Sequence, residues 1–204
     1  MNETYQKARR HLSRRDPILK AVIQRAGKCL LTPRPDDPLT MLVKVVISQQ
    51  ISVKAAASIY ARLTERVKPM TAAKLRKLTP DDFVACGISR PKQRAIVSLL
   101  DHVAVEKAFL KQLPTLEDEA FREAVVRIKG LGPWSADMLL MFGFGRLDVM
   151  PVGDLGIKLA IRDLWKLDAL PSVQTMLELS EPWRPYRTVA SWYLWRSRDW
   201  AEEY

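Results

Sequence analysis

Residues 128–136 read Ile128-Lys-Gly130-Leu-Gly132-Pro-Trp134-Ser-Ala136, and an aspartate, Asp154, follows Trp134 by 20 positions. Two glycines one residue apart let the backbone turn sharply and bring its N–H groups close to a ligand. The stretch before them, 119–128, and the stretch after them, 133–142, both carry apolar residues at helical spacing. A helix that starts just beyond a bare turn favours a negative charge there. The chain has 33 Lys+Arg against 23 Asp+Glu, a formal charge of +10. The negative charge that suits such a chain is a nucleic-acid phosphate. Asp154 adds a carboxylate downstream of this backbone clamp. The pair describes a place that holds nucleic acid and does chemistry on it.

Working outward from the turn, the pattern is helical almost throughout. Asp16-Pro17 opens a segment with Ile18, Ala21, Val22 and Ala26 on one face, closed near Gly27. Asp37-Pro38 opens another, with Leu39, Leu42, Val43, Val46 and Ile47. Ser52 caps a third, carrying Val53, Ala56, Ala57, Tyr60 and Leu63. Further helices are expected from Thr79 to Gly87, over 91–103, 155–165 and 172–179, and from Tyr186 to Trp200. Sustained period-2 alternation is absent, so no sheet is expected. The fold class is all-α: two helical subdomains with an interdomain cleft and a helix-hairpin-helix motif. Residues 41–128 are expected to form a continuous central subdomain. Residues 1–40 and 129–204 are expected to form the other, with the hairpin and Asp154 in it. Pro33–Pro38 is the most loop-like stretch near the start.

Composition removes several function classes. No apolar run approaches the roughly 18–20 residues of a membrane span; the longest, 41–47, is broken by Lys44. The basic, polar start lacks the apolar core of a secretory signal. The two cysteines, Cys29 and Cys86, cannot furnish a four-cysteine zinc site or an iron–sulfur cluster. The expected setting is a reducing intracellular one, cytoplasmic or nucleoid-associated. Basic residues also gather at Lys7, Arg9, Arg10, Arg14 and Arg15, where a solvated face is the ordinary reading.

A Gly-x-Gly turn alone is commonplace. This one has Ile128 before it, Leu131 between the glycines to plug the gap, and Ala136 after it to let two helices pack closely. Residues 127–142, followed by Asp148-Val-Met-Pro151-Val-Gly-Asp154, resemble the helix-hairpin-helix (HhH-GPD) DNA glycosylase superfamily, and most closely its DNA-3-methyladenine glycosylase II branch. Val46-Ile-Ser-Gln-Gln-Ile-Ser-Val53 and Trp183-Arg-Pro-Tyr-Arg187 through Trp195 agree with that branch. The resemblance covers about 37–200.

It implies a monofunctional hydrolase that releases alkylated purines, 3-methyladenine and 7-methylguanine, from duplex DNA and leaves an abasic site. Asp154 matches the family's catalytic aspartate. A carboxylate there stabilises the positive charge that develops on the sugar and orients or deprotonates water. The residues alone also allow a helix N-cap at Gly153-Asp154-Leu155, and a cap position aims its carboxylate out of the helix. Asp137 and Asp148 are weaker rivals. Superfamily members that also cut the backbone carry a lysine where this chain has Trp134, so a Schiff-base route has no amine at that position. Lys129 lies on the other side of the glycines.

Positively charged alkylpurines stack on aromatic faces. Trp195 matches the base-stacking residue, Trp134 is a second lining candidate, and Met138 stands where the family often has an aromatic. Trp165, Trp192 and Trp200 are expected in the core. Gln50 matches the residue that fills the gap left by the flipped base, with Gln49 as runner-up. The phosphate clamp is the N–H groups of Gly130, Gly132 and Ser135. The family implies a monovalent cation at the backbone carbonyls of Val126, Ile128 and Leu131, and otherwise no cofactor. The expected partner is double-stranded DNA containing damaged bases, met by a monomer. The alternatives are a same-fold glycosylase for deaminated or oxidised bases, an abasic-site lyase, and a non-catalytic DNA-binding module in which Asp154 only caps.

Overall fold

The computed structural model of the protein describes residues 3–33 and 36–200; Arg34 and Pro35, inside the loop-like Pro33–Pro38 stretch, and the extreme ends of the expected 1–40 and 129–204 ranges lie outside the described residues. Among these residues the regular structure is helical, without strands. In chain order the α-helices are α1 (Glu3–Arg15), α2 (Pro17–Ala26), α3 (Pro38–Ser48), α4 (Val53–Arg66), α5 (Ala72–Leu75), α6 (Pro80–Cys86), α7 (Arg90–Val105), α8 (Phe109–Gln112), α9 (Asp118–Val126), α10 (Pro133–Met138), α11 (Leu155–Trp165), α12 (Val173–Ser180) and α13 (Arg187–Asp199). Helix α10 runs on into one π-helical turn, Leu139–Gly143. None of the described helices is long and apolar enough to cross a membrane.

Helix starts follow from local chemistry. Asp16 accepts hydrogen bonds from the Ile18 and Leu19 amides, Asp37 from Thr40, and Ser52 from Ala55. Thr79 and Asp82 exchange bonds as a capping box. Each such cap satisfies an amide with no intrahelical partner and is worth about 1 kcal/mol.

The chain divides into two compact units. One is continuous, Arg34–Leu139; the other joins Met1–Pro33 to Leu140–Tyr204. The hairpin therefore packs inside the continuous unit, not with the chain's ends as the 128/129 boundary had it. The reason is side-chain burial: Ile128, Leu131 and Ala136 are buried, and α10 packs on α9 and α3. The rest of this unit's interior comes from Leu42, Val43, Ile47, Leu63, Ile96 and Leu99 among others.

The other unit has its own core, in which α1, α2, α11 and α13 contribute Leu12, Leu19, Ile23, Ile157, Ile161, Tyr193 and Leu194. Trp183 is wholly buried here, and its indole N–H donates to Asp16 at 2.9 Å. Helix α1 is an element that the basic run concealed. Tyr5, Ala8 and Leu12 form its buried stripe, while Lys7, Arg10, Arg14 and Arg15 stay exposed. Leu12 has no exposed surface. Leu12→Ala is expected to cost about 2–5 kcal/mol, read as a lower midpoint in urea denaturation; a loss within error of zero would show that α1 is not part of the core.

Candidate functional site

Asp154 caps α11. Its Oδ1 accepts the Ile157 amide at 2.9 Å and the Trp195 indole N–H at 2.9 Å. Both charge-assisted bonds fall on one oxygen, which fixes the plane of the carboxylate. The residue is half-buried. The two roles considered for it, cap and reactive carboxylate, are thus compatible in one geometry. Gly156 leaves the room: a Cβ there would stand 3.1 Å from Asp154 Oδ1 and 3.3 Å from Trp195 Cδ1.

Trp195 lies on α13, half-buried, with its polar edge on Asp154. One face stacks on Phe142, ring centroids 5.7 Å apart and planes 29° from parallel. Phe142 was not singled out from the sequence, where it reads as one more apolar residue of the second hairpin helix. Trp192 packs edge-on against Tyr193, Trp165 lies 5.8 Å from Trp183, and Arg25 covers Trp200 at 4.4 Å. All three pack against the core cluster of this unit.

The loop leading to Asp154 is stapled to the start of α13. Arg187 donates from Nε to Asp148 Oδ1 (2.8 Å) and from Nη2 to Asp148 Oδ2 (3.0 Å) and to the Asp148 carbonyl (2.8 Å). Arg184 adds a bond to Asp148 Oδ2 at 2.7 Å. Thr188 donates its hydroxyl to the Arg146 carbonyl at 2.7 Å and accepts the Val149 amide at 3.0 Å. Asp148 is therefore a structural anchor.

Asp137 is structural too. It is 4% exposed and pairs with Arg122 Nε at 2.9 Å. Burial raises the Asp137 carboxyl above its ordinary range, while the Arg122 guanidinium pulls it back down. A buried, paired carboxylate on α10 is in no position to meet a substrate.

In the continuous unit the turn between α9 and α10 has Gly130 at φ 97°, left-handed backbone that favours glycine. A Cβ at Gly130 would stand 2.5 Å from the Ala95 side chain of α7, so close approach as well as φ demands glycine here. At the start of α10 the Ala136 amide donates to the Gly132 carbonyl at 3.2 Å. The Ser135 amide precedes it, in the first turn of the helix, where α-helical geometry gives no intrahelical acceptor. Gly130 is exposed and Gly132 half-buried; Ser135 is buried at 1%. Trp134 is half-buried and Met138 is buried, 8% exposed. Val126 is exposed, whereas Ile128 and Leu131 are buried, and the Ile128 carbonyl accepts the Leu131 amide at 3.0 Å.

The structure separates the two wedge candidates. Gln50 is exposed in the α3–α4 loop with φ 56°, uncommon for a residue with a side chain. Gln49 ends α3 and turns back onto the hairpin: its Nε2 donates to the Gly130 carbonyl and to Ser135 Oγ, each at 2.9 Å.

Among the described residues no group of three or more His, Cys, Asp or Glu could hold a metal ion. Both cysteines are buried, and burial pushes the Cys29 thiol up to about 11.

A profile of the HhH-GPD superfamily of base excision DNA repair proteins matches residues 43–185. The chain is 30% identical over 203 residues to an alkylbase DNA glycosidase-like protein of Schizosaccharomyces pombe, covering 94% of this chain and 93% of that one. It is 32% identical to DNA-3-methyladenine glycosylase 1 of the same organism, over 96% of this chain and 89% of that one. Among solved structures it is similar to the S. pombe 3-methyladenine DNA glycosylase in complex with abasic DNA: TM-score 0.82, 31% identity, 95% of this chain and 97% of that one.

Gly130→Ala is expected to destabilise the protein by about 1–3 kcal/mol through its backbone conformation, with the Ala95 overlap in addition. Adding Ala95→Gly should return part of the loss and leave the φ strain. Equal stability of the single and double variants in urea would show that the Ala95 contact is not what requires glycine.

Proposed function

The chain belongs to the HhH-GPD superfamily of base excision DNA repair proteins, and from that membership we propose that it is a monofunctional DNA glycosylase that hydrolyses the N-glycosidic bond of alkylated purines in duplex DNA. The observation that carries this reading is the Asp154 carboxylate, half-exposed at a helix start and fixed through one oxygen by Ile157 and Trp195.

The bond between C1′ and the purine nitrogen breaks with its electron pair leaving on the base. An alkylated purine is already positively charged, so it departs as a neutral base. Positive charge grows on the deoxyribose, and Asp154 stabilises it electrostatically. Water then bonds to C1′, and its proton passes to Asp154 or to solvent. The products are the free base and an abasic site. Trp195, half-buried beside Asp154, offers aromatic surface to a cationic base; Trp134 is a second candidate for stacking. Met138, the third candidate for lining, is buried, 8% exposed.

The hairpin contributes the phosphate clamp through the N–H groups of Gly130, Gly132 and Ser135. A monovalent cation at the carbonyls of Val126, Ile128 and Leu131 is compatible with the turn, because the Ile128 carbonyl uses one of its two acceptor positions for Leu131. When bound, such an ion would supply positive charge to a phosphate held by the turn. Gln50, exposed and held left-handed, suits the role of filling the gap left by the flipped base. Trp134 stands where an attacking lysine is needed for strand cleavage, so water is the nucleophile. We further propose that the protein works as a monomer in the compartment that holds the genomic DNA, with no redox cofactor and no iron–sulfur cluster.

The test is base release from methylated duplex DNA by wild type and by Asp154→Asn. Wild type is expected to free 3-methyladenine or 7-methylguanine, and the variant to lose about 10²–10³-fold in rate while still binding duplex with an abasic-site analogue. No release by wild type overturns the alkylpurine assignment and directs the assay to deaminated and oxidised bases. Borohydride trapping of a protein–DNA adduct would overturn the monofunctional reading.

A further inference from the structure

We infer that Gln49 is a positioning residue that ties the Gln50 loop to the hairpin, so that the side chain entering the duplex and the turn holding its backbone behave as one rigid piece. The inference rests on the glycosylase reading above and assigns a role to a residue that reading leaves idle. Both donors of the Gln49 amide group are spent on the hairpin, on the Gly130 carbonyl and on Ser135 Oγ, each at 2.9 Å. These partners lie 81 and 86 residues away in sequence. They come from either side of the turn, so one planar amide spans it and fixes its opening.

The same corner is held a second time through α7. Lys92 Nζ donates to the Ile47 carbonyl at 2.7 Å and so closes the end of α3. Ala95, three residues on, lies against Gly130 so closely that no Cβ fits there. The end of α3, the hairpin and the first turns of α7 thus form a three-cornered joint. Gln50 is the next residue out from it. Its Cα lies about 3.8 Å from an anchored neighbour, and Ser52 caps α4 two residues further on. The link between two fixed helices is short, and its single exposed glutamine takes the left-handed conformation that the closure requires. A flexible lever at this point would lose entropy on entering DNA; a braced one has already lost it.

A second consequence concerns the clamp. With the Gly130 carbonyl occupied by Gln49, that peptide's orientation is set, and the neighbouring N–H groups keep their direction before DNA arrives. Gln49 touches neither DNA nor the reacting atoms in this scheme; it acts through Gln50 and through the turn.

The experiment is a double-mutant cycle of Gln49→Met, which keeps the length and removes the donors, with Gln50→Ala. Two quantities are read: single-turnover release of 7-methylguanine from a fully paired duplex and from an unpaired bubble, and the Kd for a duplex carrying an abasic-site analogue. Gln49→Met is expected to slow release from the paired duplex about 10- to 100-fold, as small misplacements do. The loss on the bubble, where nothing needs to be wedged, is expected to be much smaller. In the Gln50→Ala background, Gln49→Met should add less than about a twofold further loss, within the scatter of independent sites. Ser135→Ala, which removes one acceptor from the opposite side, should give the same pattern at smaller size if Gln49→Met does not fold. Multiplying losses for the two glutamines, or equal losses on paired and bubble DNA, would overturn the coupling. If wild type releases no alkylpurine, the alkylpurine assignment fails on that count alone. The Kd cycle then still decides whether Gln49 and Gln50 act together.

Discussion

Asp154 sits at the end of an irregular loop, and that loop has its shape because Asp148 is held by Arg187. An irregular segment must find partners for its backbone polar groups outside regular structure. Here the first turn of α13 supplies them: Thr188 serves the Arg146 carbonyl and the Val149 amide, and Arg187 serves both the carboxylate and the carbonyl of Asp148. Arg187 is 9% exposed, so its side of the ion pair has little water around it, and removing Asp148 would leave the guanidinium buried and uncompensated. The same helix carries Trp195 to Asp154. One helix therefore fixes the loop at its beginning and the Asp154 carboxylate at its end.

The hairpin is governed by a different constraint, the closeness of Gly130 to Ala95. A turn that must sit on a neighbouring helix without a Cβ leaves little freedom to the chain on either side. Ile128 and Leu131 go inward, and the glycines remain toward the surface. Burying the apolar residues of a turn is what allows its amides to be exposed in a fixed direction. The apolar and polar functions of the turn are thus one arrangement seen from two sides.

Much of this was legible in the sequence because it depends on local rules. The caps at Asp16, Asp37, Ser52 and Thr79, the period of the helices, and the glycine requirement of the turn are all short-range. Asp154 could be read as cap and as carboxylate for the same reason. What could not be read is set by partners far along the chain. Asp148 and Arg187 are 39 residues apart, and Gln49 and Ser135 are 86 apart. Nothing in Gln49-Gln50 says which glutamine turns inward; the α3 terminus decides it. Helix α1 escaped for a different reason. Its stripe of Tyr5, Ala8 and Leu12 is narrow, and six of its thirteen residues, including His11, are basic or can become so, which masks the period. Phe142 lacked a signal because its role exists only against Trp195. The hairpin was grouped with the wrong half of the chain because sequence order says where the turn is, not which helices its plug residues meet.

The distribution of strain follows from the same logic. A left-handed residue with a side chain costs about 1–3 kcal/mol and persists only where its surroundings over-determine it. Gln50 meets that condition, because the α3 end is closed by Lys92 and Gln49 while the α4 start is capped by Ser52. Glycine at position 50 would relieve the strain and remove the side chain that the position presents. The chain instead keeps glutamine in an unfavourable conformation at an exposed place, where burial gives no reason for it. A residue that is both strained and solvent-facing contributes nothing to the fold that glycine would not contribute better. Glutamine there leaves an exposed amide side chain on a backbone held at both ends, which is the geometry the proposed gap-filling role rests on.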